Sequence, residues 1–204
     1  MTGGGRLIVL EGGDATGKST QVRRLAERLR GRGLEVVETF EPGATPLGAQ
    51  LRAVLLEGDS TIDPTAEALL MAADRAQHVA EVLRPALERG AWVVSDRFVP
   101  SSLAYQGVAR GLGVEPVEVL SRLATGGLEP DLVVVLQVGS GEAHRRLGDE
   151  RDRLEGESAA FVDAVHDAYR DLAAARGWAV VQGEAAVEVV AEEIWAVVTE
   201  RCQP

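Results

Sequence analysis

The stretch Glu11-Gly12-Gly13-Asp14-Ala15-Thr16-Gly17-Lys18-Ser19-Thr20 decides the fold. Gly12, Gly17, Lys18 and Ser19 satisfy the spacing G-x-x-x-x-G-K-[ST] of a phosphate-binding loop. Its flanks agree. Leu7-Ile8-Val9-Leu10 is a short apolar run suited to a buried strand, and Val22, Leu25, Ala26 and Leu29 recur at helical spacing. A glycine-rich turn between strand and helix aims successive backbone N–H groups at one point, and the helix N-terminus adds partial positive charge. Residues Gly12, Gly13, Asp14, Ala15, Thr16, Gly17, Lys18, Ser19 and Thr20 therefore read as a cradle for a nucleoside triphosphate. Lys18 would reach the β- and γ-phosphates, and the Ser19 hydroxyl suits a bound Mg²⁺.

At 204 residues the chain suits one domain, or one domain with a small lid. A hydrophobic content of 46% is enough to build a core. The formal net charge of −11 argues against extended binding to nucleic acid or to a membrane surface. It leaves anionic substrates open, because fields are screened over about 8 Å at physiological salt and arginines inside a cleft outweigh the total. Cys202 is the only cysteine, so a disulfide within the chain is excluded. His78, His144 and His166 lie far apart in sequence and offer no metal-ligand spacing. No apolar run could span a bilayer, and the start Met1-Thr2-Gly3-Gly4-Gly5 lacks the character of a signal peptide, so a cytoplasmic location is expected.

Strand and helix signals alternate along the chain, the pattern of a parallel sheet covered on both faces. Residues 35–40, 91–95, 132–136 and 179–181 read as four further strands, and residues 47–56 as a short helix. Asp63-Pro64 is a good helix start, with Asp63 as N-cap and Pro64 at the first helical position. That helix is expected to bury Leu69, Leu70, Ala73 and Ala80, while Met71, Arg75 and His78 at i, i+4 and i+7 share another face. A charged Arg75 between Met71 and His78 suits a cleft wall; a solvated surface arginine is the alternative. Pro85 should interrupt this helix or begin a further turn.

Asp96-Arg97 directly follows the third strand, where open parallel sheets gather ligands. The carboxylate there can serve magnesium or a hydroxyl, and the guanidinium a phosphate. Ser101 with Tyr105 and Ser102 with Gln106 would form i, i+4 pairs on a helix. The segment 142–155 is crowded with charge and holds Arg145, Arg146, Arg151 and Arg153; it reads either as a solvated helix or as a lid carrying arginines onto phosphates. Phe161, Val165, Tyr169 and Leu172 form a core stripe, and Val187, Val190, Ala191, Ile194 and Val198 a final amphipathic helix.

Together these motifs resemble the thymidylate kinase family over nearly the whole chain. The phosphate loop, Glu41-Pro42-Gly43, residues 73–78, Ser95-Asp96-Arg97-Phe98, residues 101–107, Pro130-Asp131-Leu132 and Asp152-Arg153-Leu154-Glu155 carry the resemblance. It implies a three-layer α/β/α P-loop nucleoside monophosphate kinase fold in one domain, 1–204. Its five-stranded parallel sheet would run in the order 2-3-1-4-5, with a lid at about 141–157. It also implies phosphoryl transfer from ATP to dTMP with Mg²⁺ in a homodimer, whose interface residues 48–57, 64–83 and 101–124 could supply. By the same resemblance Asp14 holds the acceptor sugar 3′-hydroxyl. Arg75 and Gln106 read the pyrimidine edge beside Met71, and Tyr105 crowds the 2′ position, with Ser101 nearby in the acceptor site. Arg97 grips the acceptor phosphate and Asp96, with Ser19, stands near the metal. Ala15 and Thr16 occupy the place where some members carry an arginine. The pattern then resembles the bacterial type, in which lid arginines do that work, with Arg153, Arg151 and Arg146 as candidates.

Five positions depart from the family pattern: Phe40 in place of arginine before Glu41, Ala44 in place of glycine, Met71 in place of an aromatic ring, Gln137 in place of aspartate, and Gly148-Asp149 in place of Arg-Gly. They leave two alternatives: a kinase for another pyrimidine nucleoside monophosphate, and a nucleotide-binding protein with weak or lost transfer.

Overall fold

The computed structural model describes residues 4–57, 61–146, 153–154 and 156–204. Five strands, β1 (Leu7–Glu11), β2 (Val36–Phe40), β3 (Trp92–Asp96), β4 (Leu132–Gln137) and β5 (Ala179–Gln182), form one sheet in the order β2-β3-β1-β4-β5. Every pairing is parallel, with Leu7 opposite Val93 and Ile8 opposite Leu132 on the two sides of β1. The expected strands and their order are all present.

The pleat sorts side chains to two faces with a period of two. Ile8, Leu10, Val94, Val134 and Leu136 pack on one side against helices α1 (Lys18–Gly31) and α9 (Val187–Cys202), through Val22, Leu25, Leu29, Val190, Ile194 and Val198. Leu7, Val9, Val93, Val133 and Val135 face the other way, onto Leu83, Phe98, Leu103, Val165 and Leu172. Two apolar faces demand two covering layers, which is why the chain is α/β/α.

Between β2 and β3 the chain runs through α2 (Pro46–Arg52), a π-helical turn (Ala53–Glu57) and α3 (Pro64–His78). A second π-helical turn (Val79–Leu83) and α4 (Arg84–Glu88) follow. Thr45 caps α2 by accepting from the Gly48 N–H, and Asp63 caps α3 by accepting from Thr65 and Ala66. Pro85 sits in the first turn of α4, where a missing N–H costs least.

The buried face of α3 departs from expectation. Leu69 is 54% exposed and Ala73 and Ala80 are exposed, while Leu70 is only partly buried. The helix instead buries Glu67, Ala68, Ala72, Asp74, Arg75 and His78. Mutual pairing among these charged groups and their neighbours makes that burial affordable, so a polar stripe occupies the inward side.

After β3 come α5 (Val99–Ser102), a π-helical segment (Leu103–Ala109) and α6 (Val114–Thr125), and after β4 come α7 (Ser140–Arg146) and α8 (Ala159–Arg176). Of the expected lid, Gly148, Asp149, Arg151, Asp152 and Glu155 lie outside the described residues. Among the described residues no helix is long and apolar enough to cross a membrane.

Candidate active site

The carboxyl ends of β1, β2 and β3 open into a single cleft of about 620 Å³. One side is the phosphate loop. Gly12 and Gly17 take φ of +136° and +92°, which only glycine adopts without strain. A side chain at Gly12 would collide with the Leu136 carbonyl oxygen, so this glycine also permits close packing of loop on strand. Lys18 is buried and donates from Nζ to the Gly13 carbonyl at 2.6 Å. Its pKa is pushed down to about 8 by burial and then by the Arg97 charge, with Asp96, Asp14 and Glu11 pulling the other way.

Ser19 Oγ donates to Asp96 Oδ2 at 2.5 Å, so the structure brings the two expected metal-site residues together. The other oxygen, Asp96 Oδ1, is buried without a hydrogen-bond partner. A hydroxyl oxygen beside an unpartnered carboxylate oxygen suits a hard cation such as Mg²⁺.

Arg97 lines the cleft just past β3, against the phosphate loop. Its backbone has a φ of +73°, in the left-handed region a non-glycine residue enters at a cost of about 1–2 kcal/mol. The conformation is pinned by its N–H donating to the Leu10 carbonyl at 3.0 Å and by Ser95 Oγ donating to its carbonyl at 2.7 Å. The guanidinium thereby turns inward to pair with Asp14, and it donates to the Gly12 carbonyl at 3.0 Å and Ser101 Oγ at 3.1 Å. Tyr105 donates to the second Asp14 oxygen at 2.7 Å. Burial works to raise the Asp14 pKa, but the charges of Arg97 and Lys18 and the hydrogen bonds from Tyr105 and Arg97 outweigh it and hold the carboxyl below its ordinary value.

Beneath this pair lies Glu11, which the motif reading passed over. Fully buried, it accepts from the Phe98 N–H at 2.7 Å, Ser101 Oγ at 2.7 Å and Tyr169 Oη at 2.9 Å. Burial raises its pKa, opposed by Arg97 and these hydrogen bonds. Tyr169 is in the core as expected, and it also supports the site. A carboxylate closing an apolar strand was the available signal for Glu11.

The opposite side is built on α3. Arg75 donates to Glu41 Oε2 at 2.8 Å, to Ser102 Oγ at 2.9 Å and to the Phe98 carbonyl at 3.0 Å, and it lies 3% exposed. His78 bonds Glu41 at 2.8 Å through Nδ1 and Thr39 at 2.6 Å through Nε2. Asp74 accepts from the Gly43 N–H at 3.0 Å; burial, and then the Glu41 charge, push its pKa up to about 6. Met71, Phe40, Tyr105 and Gln106 line the cleft beside them. Glu67, Asp74, Arg75 and His78 recur at helical spacing, so a polar stripe of period 3.6 was the sequence signal for this wall.

Arg153 is not among the residues lining the cleft. Its Nη2 donates to Glu67 at 2.7 Å and its Nε to the Leu55 carbonyl at 2.7 Å. Moving it onto phosphates would strip one guanidinium from a fully buried carboxylate, a costly exchange.

The thymidylate kinase family model matches residues 10–194. The chain is 48% identical to a thymidylate kinase of Synechococcus sp. (strain CC9605) over 194 residues, covering 91% of this chain and 93% of that protein. It is 46% identical to one of Chromohalobacter salexigens, over 97% of this chain and 96% of that protein. It is 50% identical to one of Leifsonia xyli subsp. xyli, over 93% and 92% respectively. Agreement along almost the full length makes this chain a member of the thymidylate kinase family.

Proposed function

We propose that the chain transfers the γ-phosphoryl group of ATP to dTMP, giving ADP and dTDP. The observation that carries this reading is the continuity of one cleft, with Lys18 and Ser19 at one end, Met71, Arg75 and Gln106 at the other, and Arg97 between. Such a cleft suits two nucleotides meeting phosphate to phosphate, and the family supplies their identity.

Phosphoryl transfer asks for positioning and charge stabilisation more than for a strong base. The loop N–H groups and Lys18 hold the triphosphate. Arg97 grips the acceptor phosphate, pre-aimed by its pinned backbone, and Asp14 with Tyr105 places the acceptor sugar. Arg75 and Gln106 meet the edge of the pyrimidine, and Met71 packs on its face with a polarisable sulfur. Ser19 and Asp96 would hold Mg²⁺, which would supply stabilisation of negative charge on the phosphates. Of the lid arginines Arg153, Arg151 and Arg146, one would meet the transferred group, Arg153 by leaving Glu67, and the lid at about 141–157 would exclude water on closing.

The chain works as one domain, in the cytoplasm, and as a homodimer. Val54, Leu69, Val108 and Val119 are exposed on the segments named for the interface, where a second copy would cover them. A coupled ADP-release assay over a panel of nucleoside monophosphates tests the reaction. Strong preference for dTMP is expected; another preferred acceptor, or ATP binding without turnover, overturns it. Sedimentation velocity tests the dimer.

A further inference from the structure

Glu67 is fully buried and does not itself line the cleft. Its Oε1 accepts from Gln106 Nε2 at 2.8 Å, and its Oε2 accepts from Arg110 at 3.1 Å and Arg153 at 2.7 Å. Arg110 in turn pairs with Glu157 at 2.6 Å, and its guanidinium stacks 4.4 Å from the Phe161 ring. A carboxylate so buried would ordinarily resist ionisation. Here burial is the largest influence, but the hydrogen bonds from Gln106, Arg110 and Arg153 outweigh it and keep the Glu67 pKa below its ordinary value.

An ionised carboxylate only accepts hydrogen bonds. It therefore fixes which way the Gln106 carboxamide lies: the NH₂ end must face Glu67, and the carbonyl oxygen is left for the cleft that Gln106 lines. A carbonyl oxygen there accepts from a ring N–H. Thymine and uracil present such an N–H between two carbonyls, whereas cytosine presents a lone pair at the same ring position. Turning the amide over would reverse the preference: its NH₂ would donate to the cytosine ring nitrogen, and against thymine or uracil two donors would face each other unpaired.

We propose that Glu67 is a positioning residue for acceptor choice, selecting bases with a ring N–H by holding the Gln106 carbonyl oxygen toward the cleft. This rests on the reading above that Gln106 meets the pyrimidine edge. Discrimination of this kind is large, because the wrong partner leaves a buried polar group unsatisfied.

The test compares Glu67→Gln with the wild type on dTMP, dUMP and dCMP, measuring kcat and KM for each, with ATP affinity and thermal unfolding alongside. A glutamine at 67 both donates and accepts, so Gln106 is free to turn over. The expected result is a rise of about tenfold in KM for dTMP and dUMP, little change in kcat, and a fall of about tenfold or more in the dTMP-to-dCMP ratio of kcat/KM. A parallel loss on all three acceptors, with the ratio unchanged, overturns the proposal and leaves Glu67 structural. Glu67→Asp keeps the charge for Arg110 and Arg153 but withdraws it from Gln106, so a reduced ratio is expected there too should the glutamine variant fail to fold; an unchanged ratio overturns it. Failure of the proposed reaction itself is read separately, as absence of dTMP turnover in the wild type.

Discussion

Helices α1 and α3 are of similar length, yet they bury opposite chemistry. α1 turns Val22, Leu25, Ala26 and Leu29 inward and, apart from the buried Lys18 of its first turn, keeps its charges off that face. α3 buries Glu67, Asp74, Arg75 and His78 and leaves Leu69 exposed. The first helix holds the fold, at about 1.5–3 kcal/mol for each large apolar side chain buried. The second holds a wall of paired charges, which adds little stability as a set but is expensive to break singly. A buried polar stripe on a helix therefore marks a working surface, and the apolar stripe marks support.

The sharpest contrast lies where the α1 end of the cleft meets Arg97. Lys18→Ala or Arg97→Ala should cut turnover by about 10³-fold or more while the fold persists, since each supplies positive charge to the phosphates. Single-turnover rates and circular dichroism check both halves; a wild-type rate in either variant removes that residue from the mechanism. Next in size, Arg75→Met should destabilise the protein by about 3–5 kcal/mol, because Glu41 is left buried without its guanidinium. Urea unfolding reads this directly, and a change under 1 kcal/mol would mean that the α3 pairs are not coupled as the distances indicate.

Leu29→Ala in α1 should cost about 2–5 kcal/mol in the same measurement, yet leave the relative kcat/KM for different acceptors unchanged. An altered acceptor preference would break the division between supporting and working helices. The smallest effect concerns Asp74. Its folded pKa of about 6 lies above its ordinary value, so the native state binds the extra proton, and its contribution to stability is full at low pH and lost as pH rises through about 6. Asp74→Asn should therefore match the wild type near pH 4 and be more stable above pH 6, by on the order of 1–2 kcal/mol after allowing for partial solvent contact. Thermal unfolding against pH checks the sign; greater relative stability of the variant at low pH would reverse it.

The loop from Gly12 to Thr20 was legible because its parts are neighbours in sequence: glycines, lysine and serine act within one turn and need only a strand before and a helix after. The five strands were legible for a similar reason, since their apolar runs are continuous. Misreading the inward face of α3 has a plain cause. Apolar periodicity assigns Leu69 and Ala73 to the core, and nothing local reveals that Glu67 will meet Arg110 and Arg153, or that Arg75 will meet Glu41. Arg153 shows the same limit, for its charge is visible in the sequence but its partner is 86 residues away.

What the sequence by itself determined is the parallel α/β sheet, the position of the phosphate loop and the presence of Asp96 and Arg97 at a strand end. Those follow from hydrophobic period and short-range spacing. Tertiary structure alone decided which charges are buried and with whom: Glu11 beneath Ser101 and Tyr169, Asp14 against Arg97 and Tyr105, and Glu67 behind Gln106. The physical reason is that burying a charge is tolerable only when a partner arrives from elsewhere in the chain, and that meeting is made by packing rather than by sequence neighbours.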